Sequence, residues 1–553
     1  MKSNRRKFIQ NLGAGAAGIS LGSSAISMGS CSSASETKTD DAQTLFIGDD
    51  IAVANTQYGK VKGYILRGIN YFLGIPYGAD TSGANRFMPP QKPEPWSDIY
   101  PAVWWGNSAP QEMNNRYANK YGSFRDHWNY DDVSEDCLRI NVFTPAINDG
   151  KKRPVMLWMH GGGFMNGSGI EHDGYNGENF ARYGNIVFCS VNHRLGPLGF
   201  SDFSEVGGEK YAASGNVGML DLVAALEWVR DNITNFGGDP ANVTIMGQSG
   251  GGAKVCTTTA MPSAKGLFKK AVVLSGARVE VGVKEKSQLL GAYIIKEAGL
   301  QTSQIDKLQQ LPWIEYYDLA MKSLKKLSEE SGTGGLGFSP TVDGQYISQQ
   351  PFKNGASPNV DEIPMLICSC TSETSPSWAD STLEGITLDG VKEKLTVTYG
   401  EKTVEIVDGY ASAFPDKKPV EIWSMITTHR QRNVAVADAK SKQKAAVYMA
   451  WFGWQPPLFD NRMRSFHCVD ICFWYYNTDL MLSHTGGGIR PRSLSTKMAG
   501  SLLNFMNSGD PNGGGLPTWP KYTAEAGEVM MLDDVCEVKN DPDREARKSL
   551  PAL

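Results

Sequence analysis

Gly247-Gln248-Ser249-Gly250-Gly251 is the stretch of this 553-residue chain best suited to do chemistry. A serine hydroxyl becomes a useful nucleophile only where the backbone lifts it clear of its surroundings and a base can take its proton. The flanking sequence supplies the lift. Val243 to Met246 is an unbroken apolar, β-branched run after the turn Gly237-Gly238-Asp239-Pro240, and the residues after Ser249 are small and then helix-compatible. The serine is therefore expected on a strand-to-helix turn, where flanking glycines allow a tight backbone. A Gly-x-Ser-x-Gly match alone fits a plain glycine-rich loop equally well, so the reading requires a base, an orienting acid and an oxyanion site elsewhere.

The oxyanion site is legible upstream. Residues 154–164, PVMLWMHGGGF, read as a buried strand running into His160-Gly161-Gly162-Gly163. Consecutive glycines after a strand expose backbone N–H groups that no side chain shields, which suits the anionic oxygen of a tetrahedral intermediate. Gly162 and Gly163, with the N–H of Gly250 behind the serine, are the expected donors.

These residues must be carried by a scaffold, and the sequence describes one. NIVFCSV (185–191), VTIMG, AVVLSG (271–276), PMLICSC (364–370) and AAVYMAWFGW (445–454) are near-continuous apolar runs, as strands covered on both faces should be. Between two of them Leu222, Ala225, Leu226, Val229, Ile233 and Phe236 recur at spacings of three and four, an amphipathic helix closed by Gly237-Gly238. Alternating strands and helices imply an α/β protein with a mostly parallel, doubly wound sheet. The text from Ile51 to Pro90 alternates short strands with turns and reads as antiparallel β at the N-terminal edge.

With 41% hydrophobic and 20% charged residues, the chain has material for a large core, and no linker or composition shift interrupts it after residue 50. Residues 50–553 are read as one domain. The formal charge of −5 argues against nucleic acid as a partner. Residues 1–30 carry Lys2, Arg5, Arg6 and Lys7 and then a Gly/Ala/Ser-rich run, the pattern of an export signal resembling the bacterial twin-arginine type. Met28-Gly29-Ser30-Cys31 resembles a lipoprotein box with Cys31 as the lipidated residue, and cleavage after Ser27 is the competing outcome. Export to a bacterial periplasm or cell envelope, with membrane attachment through Cys31, is the expectation. Residues 31–49 read as a disordered tether.

Further motifs, FLGIPYG, SEDCLRINVFTP, HGGGF, VNHRLGPLGF, SPTVDG and NSGDPNGGGLPTWPKY, occur in an order that resembles the type-B carboxylesterases, a family that includes cholinesterases and bacterial para-nitrobenzyl esterases. The likeness runs from about 50 to 535. It implies the α/β-hydrolase fold, a large, mostly parallel central sheet with helices on both faces. It also implies the triad order Ser, Asp/Glu, His along the chain. Of the seven histidines, His127, His160, His172 and His193 precede the serine; His429 reads as a helix-surface or packing residue and His484 follows no buried strand. His467, in the loop after the strand ending at Trp454, matches the family's His-x-x-Asp/Glu site with Asp470 downstream. Arg464-Ser465 departs from the common Gly-Ala there. Glu373, just beyond PMLICSC, matches the triad carboxylate, with Asp380 in reserve.

The resemblance thus implies a serine carboxylesterase acting on a small-molecule ester through an acyl-enzyme, with catalytic residues Ser249, Glu373 and His467 and no cofactor or metal. The alternative class is a catalytically inactive, cholinesterase-like adhesion protein. Such relatives generally lack a triad member, and this chain keeps all three. The family's partner for Cys137 is missing, so Cys137 is expected as a free thiol. Cys368, Cys370, Cys468 and Cys472 flank the acid and the base and are expected to cluster there as buried thiols; a metal at Cys-x-Cys and Cys-x₃-Cys would compete with the triad. Gln248 stands where cholinesterases carry an acid, which disfavours cationic esters. Trp104, Trp105, Tyr117, Tyr121 and Trp128 are read as core or rim aromatics.

Overall fold

Runs that are apolar at every position need cover on both faces, and the computed structural model, which describes residues 44–112 and 132–551, supplies that cover. In the strand Arg153–Met159, Val155 and Leu157 enter one hydrophobic cluster while Met156 and Trp158 enter the other. The first cluster is closed by the helix Val217–Asn232 through Leu222, Ala225, Leu226 and Val229. The second is closed by the helix Ile489–Ser508 through Leu494, Met498, Leu502 and Phe505. Each large side chain here is fully buried, so truncating one such as Trp158 to alanine would cost about 3–5 kcal/mol.

The described residues form a twelve-stranded central sheet. Its middle is parallel, in the spatial order Val187–Val191, Arg153–Met159, Gly238–Gln248, Lys270–Leu274, Met365–Cys370, Val447–Phe452, Glu528–Leu532. The N-terminal edge is antiparallel, as expected, through Tyr64–Leu66, Ile69–Pro76 and Arg139–Thr144. The other edge also ends antiparallel, with Glu537–Asn540 on Glu528–Leu532, which the sequence reading did not anticipate. Placing the boundary of the ordered body at residue 50 needs correction. Leu45–Phe46 pairs with Leu66 and Ile65 and extends the sheet, because an exposed edge strand accepts any short extended segment. The export signal, Cys31 and the tether up to Gln43 lie outside the described residues, as do Tyr117, Tyr121 and Trp128.

Two of the motifs each supply one partner of a buried ion pair, Glu135 from SEDCLRINVFTP and Arg194 from VNHRLGPLGF. Arg86 meets Glu135 at 2.6 Å, and Arg194 meets Asp221 at 2.6 Å with a second bond from the Arg194 backbone N–H. The helix Val217–Asn232 passes into a 3₁₀ turn that stops at Gly237 (φ 76°), as the glycine pair predicts. No helix among the described residues is long and apolar enough to cross a membrane.

Candidate active site

Four chemically important loops leave the C-terminal ends of adjacent or nearby parallel strands: the glycine loop after Arg153–Met159, Ser249 after Gly238–Gln248, Glu373 after Met365–Cys370, and His467 after Val447–Phe452. Side chains far apart in sequence are thereby brought to one rim of the sheet.

Ser249 adopts φ 58°, ψ −123°, a conformation that costs a non-glycine residue about 1–3 kcal/mol. The surroundings over-determine it. Its N–H donates to Leu274 O at 2.8 Å, its carbonyl accepts from Ala253 N at 3.1 Å, and the helix Gly250–Thr259 starts immediately behind it. The neighbouring glycines are steric necessities. A Cβ on Gly251 would lie 2.0 Å from Met159 O, one on Gly247 2.3 Å from Gly251 C, and one on Gly276 2.0 Å from Ser249 O.

Of the three expected oxyanion donors, Gly163 and Gly250 come together at the cavity, and Gly162 is not among the residues that line it. An ideal Cβ on Gly250 would sit 2.3 Å from Gly163 N, so the two backbones touch. Gly162 and Gly163 are left-handed (φ 80° and 66°), and no acceptor among the described residues takes either N–H. Their turn is pinned by Asn166 N–H to Gly162 O at 3.0 Å. Sequence reasoning missed a support beneath this loop. Lys254, one turn into the serine's helix and fully buried, donates through Nζ to His160 O at 2.9 Å and reaches Gly161 O at 3.5 Å. Burial draws its pKa down to about 7. Burial, with Lys254 beside them, also holds the stacked imidazoles of His160 and His193 well below the ordinary histidine range.

Glu373 and His467 meet directly. The His467 Nδ1 to Glu373 Oε2 distance is 2.5 Å, and the His467 backbone N–H donates to Glu373 O at 2.7 Å. The other carboxylate oxygen accepts from Cys370 N at 3.0 Å. The departure at Arg464-Ser465 is structural: Arg464, left-handed and buried, pairs with Glu384 at 2.5 Å, while Ser465 O accepts from Glu373 N at 3.0 Å and Ser465 Oγ donates to Phe452 O at 2.6 Å. The acid and base loops are laced through that serine. Asp380, the reserve acid, caps a short 3₁₀ turn by accepting from Thr382, outside the cavity. Asp470 is fully buried behind the pair. Burial first, then the Glu373 charge, raise its carboxyl to about 7, and Trp474 Nε1 donates to it at 3.3 Å.

Cys368, Cys370 and Cys472 are buried below this pair, and burial lifts each thiol well above the ordinary range. Cys468 donates to Gln248 Oε1 at 3.1 Å. The eight described cysteines, Cys137 included, are unbridged, and no group of three or more His, Cys, Asp or Glu among the described residues is arranged to hold a metal ion. Gln248 is itself fully buried, so its side chain faces the base and not the substrate. Trp104 and Trp105 stay out of the cavity, Trp105 packing on Phe143.

Ser249, Gly163, Gly250, Glu373 and His467 line one cavity of about 860 Å³. Phe164, Trp378 and Phe466 give it apolar wall; Arg278, His429 and Arg432 give it cationic or titratable wall. His429, read from sequence as a surface or packing residue, precedes the helix Arg430–Lys440 with φ 55° and faces this cavity. No local signal marks such a position, because the distant strand order creates the wall.

Comparison with known proteins gives one consistent result. Residues 50–548 match the Carboxylesterase family. The para-nitrobenzyl esterase of Bacillus subtilis is 34% identical over 508 residues, covering 90% of this chain and 98% of that protein. A Clostridium hathewayi esterase described as hydrolysing aliphatic aromatic polyesters superposes with a TM-score of 0.80 at 34% identity, covering 91% of this chain and 99% of that one. A Geobacillus stearothermophilus carboxylesterase gives 0.74 at 30% identity, covering 90% and 100%.

Proposed function

The chain belongs to the carboxylesterase family and is a carboxylic ester hydrolase, and from that premise we propose that Ser249, Glu373 and His467 are its triad. The observation that carries this reading is the 2.5 Å hydrogen bond between His467 and Glu373 at the cavity that Ser249 also lines. With Nδ1–H committed to the carboxylate, Nε2, which the Gln248 amide approaches to 3.2 Å, is the nitrogen that accepts the serine proton. Ser249 Oγ attacks the ester carbonyl, and the N–H groups of Gly162, Gly163 and Gly250 hold the oxyanion. The His467 imidazolium, stabilised by Glu373, protonates the leaving alkoxide; His467 then deprotonates water, which releases the acid and regenerates the serine.

Uncharged aryl and short alkyl esters are the proposed substrates, in preference to choline esters. The cationic wall of Arg278 and Arg432 supports this, together with apolar Phe164, Trp378 and Phe466. Acetylcholine compared with its uncharged dimethylbutyl isostere tests it: kcat/KM should favour the neutral ester, and a tenfold advantage for the cation, about 1.4 kcal/mol, would contradict it. Ser249→Ala should reduce kcat by on the order of 10⁶.

We infer further that the protein is exported to a bacterial cell envelope, on the strength of Asn4-Arg5-Arg6-Lys7-Phe8-Ile9 and the run that follows, with Cys31 lipidation ahead of cleavage after Ser27. Substituting Arg5 and Arg6 by lysine should block export; normally processed protein in that double variant would contradict the assignment.

A further inference from the structure

We propose that Arg278 and Arg432 form an anion subsite in the substrate cavity, so that the enzyme favours esters bearing a carboxylate distal to the scissile bond. The proposal rests on the ester hydrolase reading and refines its substrate class: the cationic wall that disfavours choline esters also ranks esters with a distal carboxylate above the uncharged esters named there.

The charge inventory of the cavity is one-sided. Among the described residues its lining holds a single carboxylate, Glu373, already engaged by His467 and by Cys370 N–H. Against it stand two guanidiniums. Buried arginines of this chain are paired with acids: Arg86 with Glu135, Arg194 with Asp221, Arg430 with Asp541 and Asp543, Arg464 with Glu384. Arg278, half-buried, and Arg432, exposed, have no ion pair among the described residues. Arg278 Nε donates only to the backbone carbonyl of Glu280, whose own carboxylate meets Lys353 at 2.5 Å. Arg278 is half-buried and Arg432 exposed on one concave wall, where like charges repel, and burial and Arg432 together lower the proton affinity of Arg278. An anion between them relieves the repulsion, and a guanidinium presents a fork that fits a carboxylate.

The wall lies near the reacting atoms. Gly276 packs so closely on Ser249 that a Cβ there would fall 2.0 Å from Ser249 O, and Arg278 is two residues further on. Two trans peptide units span at most about 7.6 Å between Cα atoms. The Arg278 N–H also points at Cys256 Sγ, 3.5 Å away on the serine's own helix. A substrate seated at Ser249 thus has the guanidiniums within reach of a short acyl chain or of an alcohol substituent. The subsite binds and orients; it takes no part in bond making.

Two pairs of esters, each differing by one charge, test the proposal: monoethyl adipate against ethyl adipamate for the acyl side, and 4-carboxybenzyl butyrate against 4-carbamoylbenzyl butyrate for the alcohol side. In at least one pair kcat/KM should favour the carboxylate by on the order of tenfold, mainly through KM, and more at about 20 mM than at about 300 mM salt. Arg278→Gln and Arg432→Gln should each lower that ratio, and the double variant should bring it to about one, while Arg278→Lys, which keeps the charge but not the fork, should retain part of it. Equal rates in both pairs, or a preference for the amides, would overturn the subsite while leaving ester hydrolysis intact. Failure to hydrolyse any of the four esters would overturn the esterase reading itself.

Discussion

Gln248 Nε2 lies 3.2 Å from Nε2 and 3.3 Å from Nδ1 of His467, and the glutamine is fully buried. The residue before the nucleophile therefore bears on the base. A carboxylate at this position would stabilise the imidazolium and would act on substrate charge only indirectly. Gln248→Glu should move the acid limb of the kcat/KM pH profile upward by on the order of one unit, since more alkali is then needed to free the base. An unmoved limb would show that this contact has no electrostatic weight.

Lys254 holds the carbonyls of His160 and Gly161, the residues that lead into the oxyanion glycines. Lys254→Met keeps the bulk and removes the donor. The loop should then present its N–H groups less squarely, with kcat lowered by about tenfold to a hundredfold and KM within about threefold of wild type. Lys254→Gln should restore part of kcat. A change confined to KM would contradict the positioning role.

Asp470 and Lys254 give opposite pH dependences of stability. The Asp470 carboxyl, raised from 3.8 to about 7, contributes stability that is full below its unfolded value and is lost as pH rises through about 7. Lys254, lowered from 10.5 to about 7, contributes stability that is full above 10.5 and is lost as pH falls through about 7. Asp470→Asn should accordingly gain on wild type in Tm between pH 5 and pH 8, and Lys254→Met should lose on wild type between pH 8 and pH 10. Parallel Tm curves would refute both assignments.

The glycines separate sterically. Gly251→Ala drives a Cβ into Met159 O and should unfold the serine turn, whereas Gly163→Ala meets nothing nearer than Met165 N at 4.0 Å and bears chiefly the strain of its φ of 66°, about 1–2 kcal/mol. Gly250→Ala pushes on the Gly163 backbone and should lower kcat by about 10² to 10³. Equal Tm for Gly251→Ala and Gly163→Ala would contradict this ordering.

The sheet and Ser249 were legible because continuous apolar runs and a glycine-flanked serine are local signals. Glu373 and His467 needed the order of motifs as well, since nothing local separates them from solvated loop residues. The lacing at Ser465, the lysine under the glycine loop and the arginine wall were not legible. Each joins segments whose proximity is decided by strand order, as when Arg278 and Arg432, 154 positions apart, come to one cavity. Leu45–Phe46 was missed because two edge residues carry no periodicity.

The central claim, that Ser249 is a nucleophile activated by His467 and Glu373, is tested most directly by reacting the full-length protein with a fluorophosphonate and mapping the adduct by mass spectrometry. The account predicts one adduct per chain, on Ser249, none in Ser249→Ala, and labelling slowed by orders of magnitude in His467→Ala. An unlabelled wild-type protein, or an adduct that persists in Ser249→Ala, would contradict it.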